Sequence, residues 1–182
     1  MTATRAAPLT RLTASIEAKR KLLSDLDRIA VFEAIADVVI ATYKSGGRLD
    51  IAGNSGSAAD AQHLAAEFVS KLARDRAPLT AEALTVDTSI LTAIGNDYGF
   101  DAVFSRQIEG KTTAMDIFLG ITTSGNSRNI LEALRTCRKL NIRTIIFSGG
   151  NGGLAAEEAD YCLLSPSEHH SRNTHHLCAR TL

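Results

Sequence analysis

An excess of charge of one sign is the first thing this chain lacks. Lys+Arg and Asp+Glu both number 20 in 182 residues, so the formal net charge is zero. Proteins that wrap nucleic acid usually carry a basic excess or stripe, so nucleic acid is not an expected partner. Cysteine is scarce too. Cys137, Cys162 and Cys178 are widely and unevenly spaced, with no CxxC pair and no disulfide framework. Reduced thiols in a cytoplasmic protein are the expectation, two of them in or near core elements. No apolar run reaches the length of a membrane span, and residues 1–14 lack the long apolar region of a secretory signal. A membrane is therefore not expected as a partner either. Two familiar phosphate signatures are missing, the GxGxxG fingerprint and the lysine of a Walker loop. There are no internal repeats and no linker long enough to split the chain.

What remains is an ordinary globular composition, 45% apolar and 22% charged, at a length that suits one domain with a full core. Residues 12–28 and 29–44 show helical spacing, the second more apolar, with Phe32, Ile35, Val39 and Tyr43 near one stripe. Ser45-Gly46-Gly47 stops that helix through left-handed backbone geometry. The two helices read as a cap on the domain or as an oligomer interface, since their stripes look wider than one small sheet needs. From residue 48 the period changes. Strands are expected over 48–53, 81–86, 116–122, 143–148 and 161–164. Helices are expected over 58–72, 89–96, 101–110, 126–140 and 154–159. This alternation implies right-handed crossovers and a mostly parallel sheet covered on both faces. The expected fold is one three-layer α/β domain over 1–182, with a helical extension over 1–45 and the α/β core over 46–182.

Two loops stand between a strand and a helix. The first is Gly53-Asn54-Ser55-Gly56-Ser57, where glycines allow close backbone approach and the helix N-terminus offers free N–H groups. The second is Thr122-Thr123-Ser124-Gly125-Asn126-Ser127, with four hydroxyls in six residues that can aim at one anion, and Asn126 or Ser127 starting the helix. Each alone reads equally as a capped turn. Two of them after strands of one parallel sheet favour a phosphate grip, because ligands of open α/β sheets sit at the carboxyl ends of strands.

His63 and Glu67 lie four residues apart on the helix that follows the first loop, on one face. The pair reads as a solvated surface contact, as two metal ligands, or as a general base with a neighbouring imidazole. It stands roughly 10–15 Å from the helix start. Gly95-Asn96-Asp97-Tyr98-Gly99 reads as a turn that can also bind sugar hydroxyls. The tail from His169 to His176 holds four of the five histidines and reads as a metal-binding tract or as a disordered end.

The two loops, the His63/Glu67 pair and the Gly95-Asn96-Asp97 turn, in this order and spacing, resemble the phosphoheptose (sedoheptulose-7-phosphate) isomerases of the SIS domain class. The resemblance spans roughly residues 10–166. It implies a five-stranded parallel flavodoxin-like sheet and a homotetramer with sites built between subunits. The implied reaction converts sedoheptulose 7-phosphate to D-glycero-D-manno-heptose 7-phosphate through an enediol, for lipopolysaccharide, capsule or surface-layer glycans. Carried over by position, Thr122, Thr123, Ser124 and Ser127 hold the phosphate. Asn54, Ser55, Gly56, Asn96 and Asp97 contact the sugar phosphate. Glu67 is the proton-abstracting base, a substrate contact and, with His63, a zinc ligand. Ser55 stands where the family commonly has glycine. The family's last helix supplies a Gln and, eight residues later, a His as further zinc ligands and second acid/base group. Here the tail reads Arg172-Asn173-Thr174-His175-His176, so that ligand set is incomplete and the helix is truncated or altered. The alternative is a non-catalytic SIS module that binds a phosphosugar or the bacterial replication initiator.

Overall fold

The computed structural model describes residues 3–71 and 74–165. The tail with its four histidines, Arg172, Asn173 and Cys178 lies outside the described residues.

The chain opens with two helices, α1 (Ala3–Ser24) and α2 (Leu26–Lys44). The break falls at Asp25 rather than near residue 28, because the Asp25 carboxylate accepts the Arg28 N–H at 3.1 Å and caps α2. Gly46, at φ 86°, ends α2 as the sequence indicates. The rest alternates. It runs β1 (Leu49–Gly53), α3 (Gly56–Val69), β2 (Ala81–Ala83), α4 (Thr88–Asp97), a 3₁₀ turn (Phe100–Ala102), α5 (Ser105–Lys111), β3 (Ile117–Thr122), α6 (Arg128–Leu140), β4 (Arg143–Ser148), α7 (Gly153–Glu158) and β5 (Tyr161–Leu164).

All strand pairs are parallel, and the five-stranded sheet has the order β2-β1-β3-β4-β5. β1 and β3 are paired from Leu49↔Ile117 to Gly53↔Ile121 and are buried throughout. Burial on both faces explains their unbroken apolar character, since a parallel sheet is covered above and below. One face packs Leu49, Ile51, Ile117, Leu119, Ile121 and Phe147 against Ile35, Val38 and Val39 of α2 and Ala61, Leu64 and Ala65 of α3. The other packs Ala52, Phe118 and Ile146 against α5 and against Ile130, Leu131, Ala133, Leu134 and Cys137 of α6. The three-layer fold is therefore as expected.

Several boundaries shift. α3 starts two residues early and ends at Val69 instead of Leu72. β2 is three residues long, not six. The helix expected over 101–110 divides into the 3₁₀ turn and α5. Among the described residues no helix is long and apolar enough to cross a membrane. Cys137 and Cys162 are free thiols, and burial pushes them up to about 12 and about 11, which keeps both protonated and unreactive.

Candidate active site

β1 and β3 are neighbours in the sheet, yet their crossovers leave in opposite directions. α3 returns to β2 on one face and α6 returns to β4 on the other. This reversal opens a crevice at the carboxyl ends of the two strands, the place where doubly wound sheets bind ligands. Both sequence-predicted loops sit there, and both helix N-termini arise from it.

The loops are joined directly. Asn54 Nδ2 donates to Asn129 Oδ1 and Asn129 Nδ2 donates to Asn54 Oδ1, each at 2.9 Å. Asn129 is 2% exposed, in the first turn of α6. It was not among the residues singled out from sequence. A polar side chain on the otherwise apolar stripe Ile130, Leu131, Ala133, Leu134 was the available signal.

In the first loop, Gly53 leaves no room for a side chain, since a Cβ there would stand 2.7 Å from Ser57. Ser55 immediately precedes α3, but its side chain makes no capping bond. It is exposed and sits at φ 54°, ψ −118°, a region that L-residues rarely adopt. Gly56 is exposed beside it. The capped-turn reading thus fails here, and the exposed Ser55 side chain makes no capping bond among the described residues.

In the second loop, Ser127, not Asn126, precedes α6, and it makes no side-chain cap either. Its hydroxyl instead meets that of Thr122 at 3.3 Å. Ser124 Oγ accepts the Asn126 N–H at 3.2 Å, and Thr123 is half-buried next to it. A Cβ on Gly125, which has φ 67°, would run into the Gly152 carbonyl. The loop is held against residues 149–155 by Gly149 N–H to Thr123 O (3.3 Å), Ala155 N–H to Gly125 O (2.9 Å) and Leu154 N–H to Asn126 Oδ1 (3.2 Å). The Gly-rich turn after β4 is thus the back wall of the hydroxyl loop, a role its composition did not announce.

His63 and Glu67 share one face of α3, with Nε2 3.6 Å from Oε1. The imidazole side chain is 59% exposed and the carboxylate 23%. Two ligands of one tetrahedral zinc, with bonds of about 2.0–2.1 Å, stand roughly 3.3 Å apart, so this spacing fits a shared cation. Among the described residues no group of three or more His, Cys, Asp and Glu could complete a metal site. The pair fits as half a ligand set. Because α3 begins at Gly56, Glu67 lies roughly 16 Å along the helix from the loop, slightly beyond the expected distance.

Asn96 lies in the helix expected over 89–96, and Asp97 extends that helix instead of opening a turn. They are the last two residues of α4, exposed, with Asn96 Nδ2 donating to Asp97 Oδ1 at 2.8 Å. The helix continues through Gly95 because Asp87 caps its start and Tyr98 N–H still bonds Ile94 O at 2.8 Å. The structure shows no bond from either side chain to the loops among the described residues. The 3₁₀ turn that follows packs on α6, and Asp101 stands 3.9 Å from Arg128 at the start of that helix.

The SIS domain model matches residues 16–149. The chain belongs to the SIS domain family, among the phosphoheptose isomerases. It is 46% identical over 157 residues to the phosphoheptose isomerase of Aneurinibacillus thermoaerophilus, covering 86% of this chain and 79% of that one. It is 49% identical over 153 residues to phosphoheptose isomerase 2 of Campylobacter jejuni, covering 84% and 76%. Among solved structures, the phosphoheptose isomerase of Neisseria gonorrhoeae superposes with a TM-score of 0.89 at 34% identity, covering 98% of this chain and 94% of that one. The enzyme from Francisella tularensis gives 0.87 at 32% identity, covering 97% and 94%.

Proposed function

We propose that this isomerase interconverts sedoheptulose 7-phosphate and D-glycero-D-manno-heptose 7-phosphate, in the cytoplasm, on a bacterial route to heptose-containing lipopolysaccharide or capsule. The observation that carries the reading is the Asn54–Asn129 amide pair, which locks the two loops together over one crevice. The phosphate sits among Thr122, Thr123, Ser124 and Ser127, of which the Thr122 and Ser127 hydroxyls lie 3.3 Å apart and Ser127 makes no side-chain cap on α6. Helix N-termini and loop N–H groups add the positive end of the peptide dipoles. Asn54, Ser55 and Gly56 line the sugar side, with Asn96 and Asp97 supplying an amide and a carboxylate for its hydroxyls.

The Glu67 carboxylate removes the proton from the carbon beside the carbonyl and returns it to the neighbouring carbon, while the hydroxyl proton passes between the two oxygens. Carbonyl and hydroxyl thus exchange places with no net gain or loss of atoms. His63 and Glu67 would hold part of the ligand set of a zinc ion, and the chemistry that ion would supply is polarisation of the sugar oxygens.

The roughly 16 Å of α3 between Glu67 and the first loop of its own chain favours sites shared between copies, and a homotetramer is the proposed assembly. A non-catalytic phosphosugar module needs the loops but no base; the adjacent His63 and Glu67 favour the enzyme.

The test is conversion of sedoheptulose 7-phosphate with zinc added, followed by chromatography of the product. Glu67→Gln is expected to lower kcat about 10²–10⁴-fold while inorganic phosphate still binds. Wild-type protein that binds phosphate and never turns over would return the reading to the non-catalytic module.

A further inference from the structure

The last turn of α3, which carries Glu67, ends at Val69 with carbonyls that have no partner inside the helix. Arg76 and Leu79 satisfy two of them. Arg76 Nη2 donates to the Glu67 carbonyl at 2.9 Å. Arg76 Nη1 donates to the Phe68 carbonyl at 2.8 Å and to its neighbour Ala77 at 3.0 Å. The Leu79 N–H reaches the same Phe68 carbonyl at 3.1 Å. From the other side, the Tyr43 ring of α2 stacks on Phe68 with centroids 5.6 Å apart, and its hydroxyl donates to Thr80 O at 3.0 Å.

Arg76 is exposed, so burial does not compel these bonds. Fixing a long side chain in three of them costs rotamer freedom that solvent would otherwise leave it. What they accomplish is local. A planar fork grips two successive carbonyls, and a cation sits at the negative end of the helix. The backbone so held is that of Glu67 itself and of the next residue.

We propose that Arg76 is a positioning residue for Glu67. By clamping the carbonyls of Glu67 and Phe68 it fixes the place and aim of the Glu67 carboxylate beside His63. The inference rests on Glu67 being the base.

The experiment compares Arg76→Ala, Arg76→Lys and Tyr43→Phe with wild type in sugar-phosphate turnover, thermal unfolding and hydrogen exchange of residues 66–70. Arg76→Ala is expected to lower kcat about tenfold with KM changed less than about twofold, because misplacement of a reacting group costs rate more than binding. Exchange at 66–70 rises in the same variant. Arg76→Lys, a single point donor, recovers part of kcat. Tyr43→Phe loses the bond to Thr80 and leaves every Arg76 bond, so its kcat stays near wild type whatever its stability. The inference is overturned by unchanged kcat in Arg76→Ala, by unchanged exchange at 66–70, or by equal kcat losses in Arg76→Ala and Tyr43→Phe. Failure of the underlying reading looks different: Glu67→Gln then turns over like wild type, whereas failure at Arg76 leaves Glu67→Gln inactive and Arg76→Ala fully active.

Discussion

Ser55 shows how a single residue can carry both strain and a task. Its φ of 54° and ψ of −118° suit glycine, and its hydroxyl caps nothing. Holding an L-residue there costs of order 1–3 kcal/mol. Ser55→Gly is expected to raise unfolding stability by about 1 kcal/mol and to raise KM for the sugar phosphate. Chemical denaturation and steady-state kinetics on the same preparation decide it. A glycine variant that is no more stable removes the strain, and one with unchanged KM removes the task. The family resemblance marked Ser55 as a departure from glycine, but only the torsion angles turned that departure into an energy. His63 and Glu67 were readable in the same way, because four-residue spacing on a helix brings side chains together whatever surrounds it. Asn129 was not, since its partner lies 75 residues away.

At the scale of elements, β1 carries the least expected group. Asp50 is fully buried, pointing into the α5 side of the sheet. Its Oδ2 accepts from Thr112 at 2.7 Å and from Arg48 at 3.2 Å, while Oδ1 has no hydrogen-bond partner among the described residues. Arg48 and Lys111 also reach Glu82 of β2, at 3.4 and 2.7 Å, which ties the short edge strand to the end of α5. Burial pushes the Asp50 carboxyl up, ahead of the opposing effects of Thr112 and Arg48. Unfolded, it titrates near about 3.9. Between that value and the raised one, the folded state keeps a proton that the unfolded chain releases, so stability falls as pH rises through the folded value. Asp50→Asn lacks this fall. Its stability relative to wild type is expected to grow from about pH 4 upward and then level off. Urea midpoints across that range measure it, and a difference that does not vary with pH rejects the account.

At the scale of the whole molecule, the described residues leave an apolar stripe uncovered. Leu9, Leu12, Ile16 and Leu23 are 68%, 60%, 43% and 76% exposed on α1, and Leu26 of α2 is 79% exposed. Positions 9, 16 and 23 repeat every seven residues with Leu12 between them, the spacing of a helix–helix seam. A second copy is the occupant that the proposed tetramer supplies. Light scattering is expected to give four times the chain mass of 19.4 kDa for wild type and a smaller species for the double variant Ile16→Glu, Leu23→Glu, with turnover lost in parallel. A monomeric and fully active wild type contradicts both the assembly and the shared site.

By itself the sequence determined the alternation of strands and helices, the two hydroxyl loops and the His63/Glu67 pair. Each of these is written in short-range periodicity, in glycines at turns, or in residues a few positions apart. The tertiary structure alone decided the strand order, and with it that β1 and β3 stand side by side with their loops over one crevice. It also decided that Asn129 meets Asn54, that residues 149–155 back the hydroxyl loop, and that Arg76 grips the carbonyl of Glu67. Such contacts depend on which distant segments the packed sheet brings together, and no local pattern encodes that.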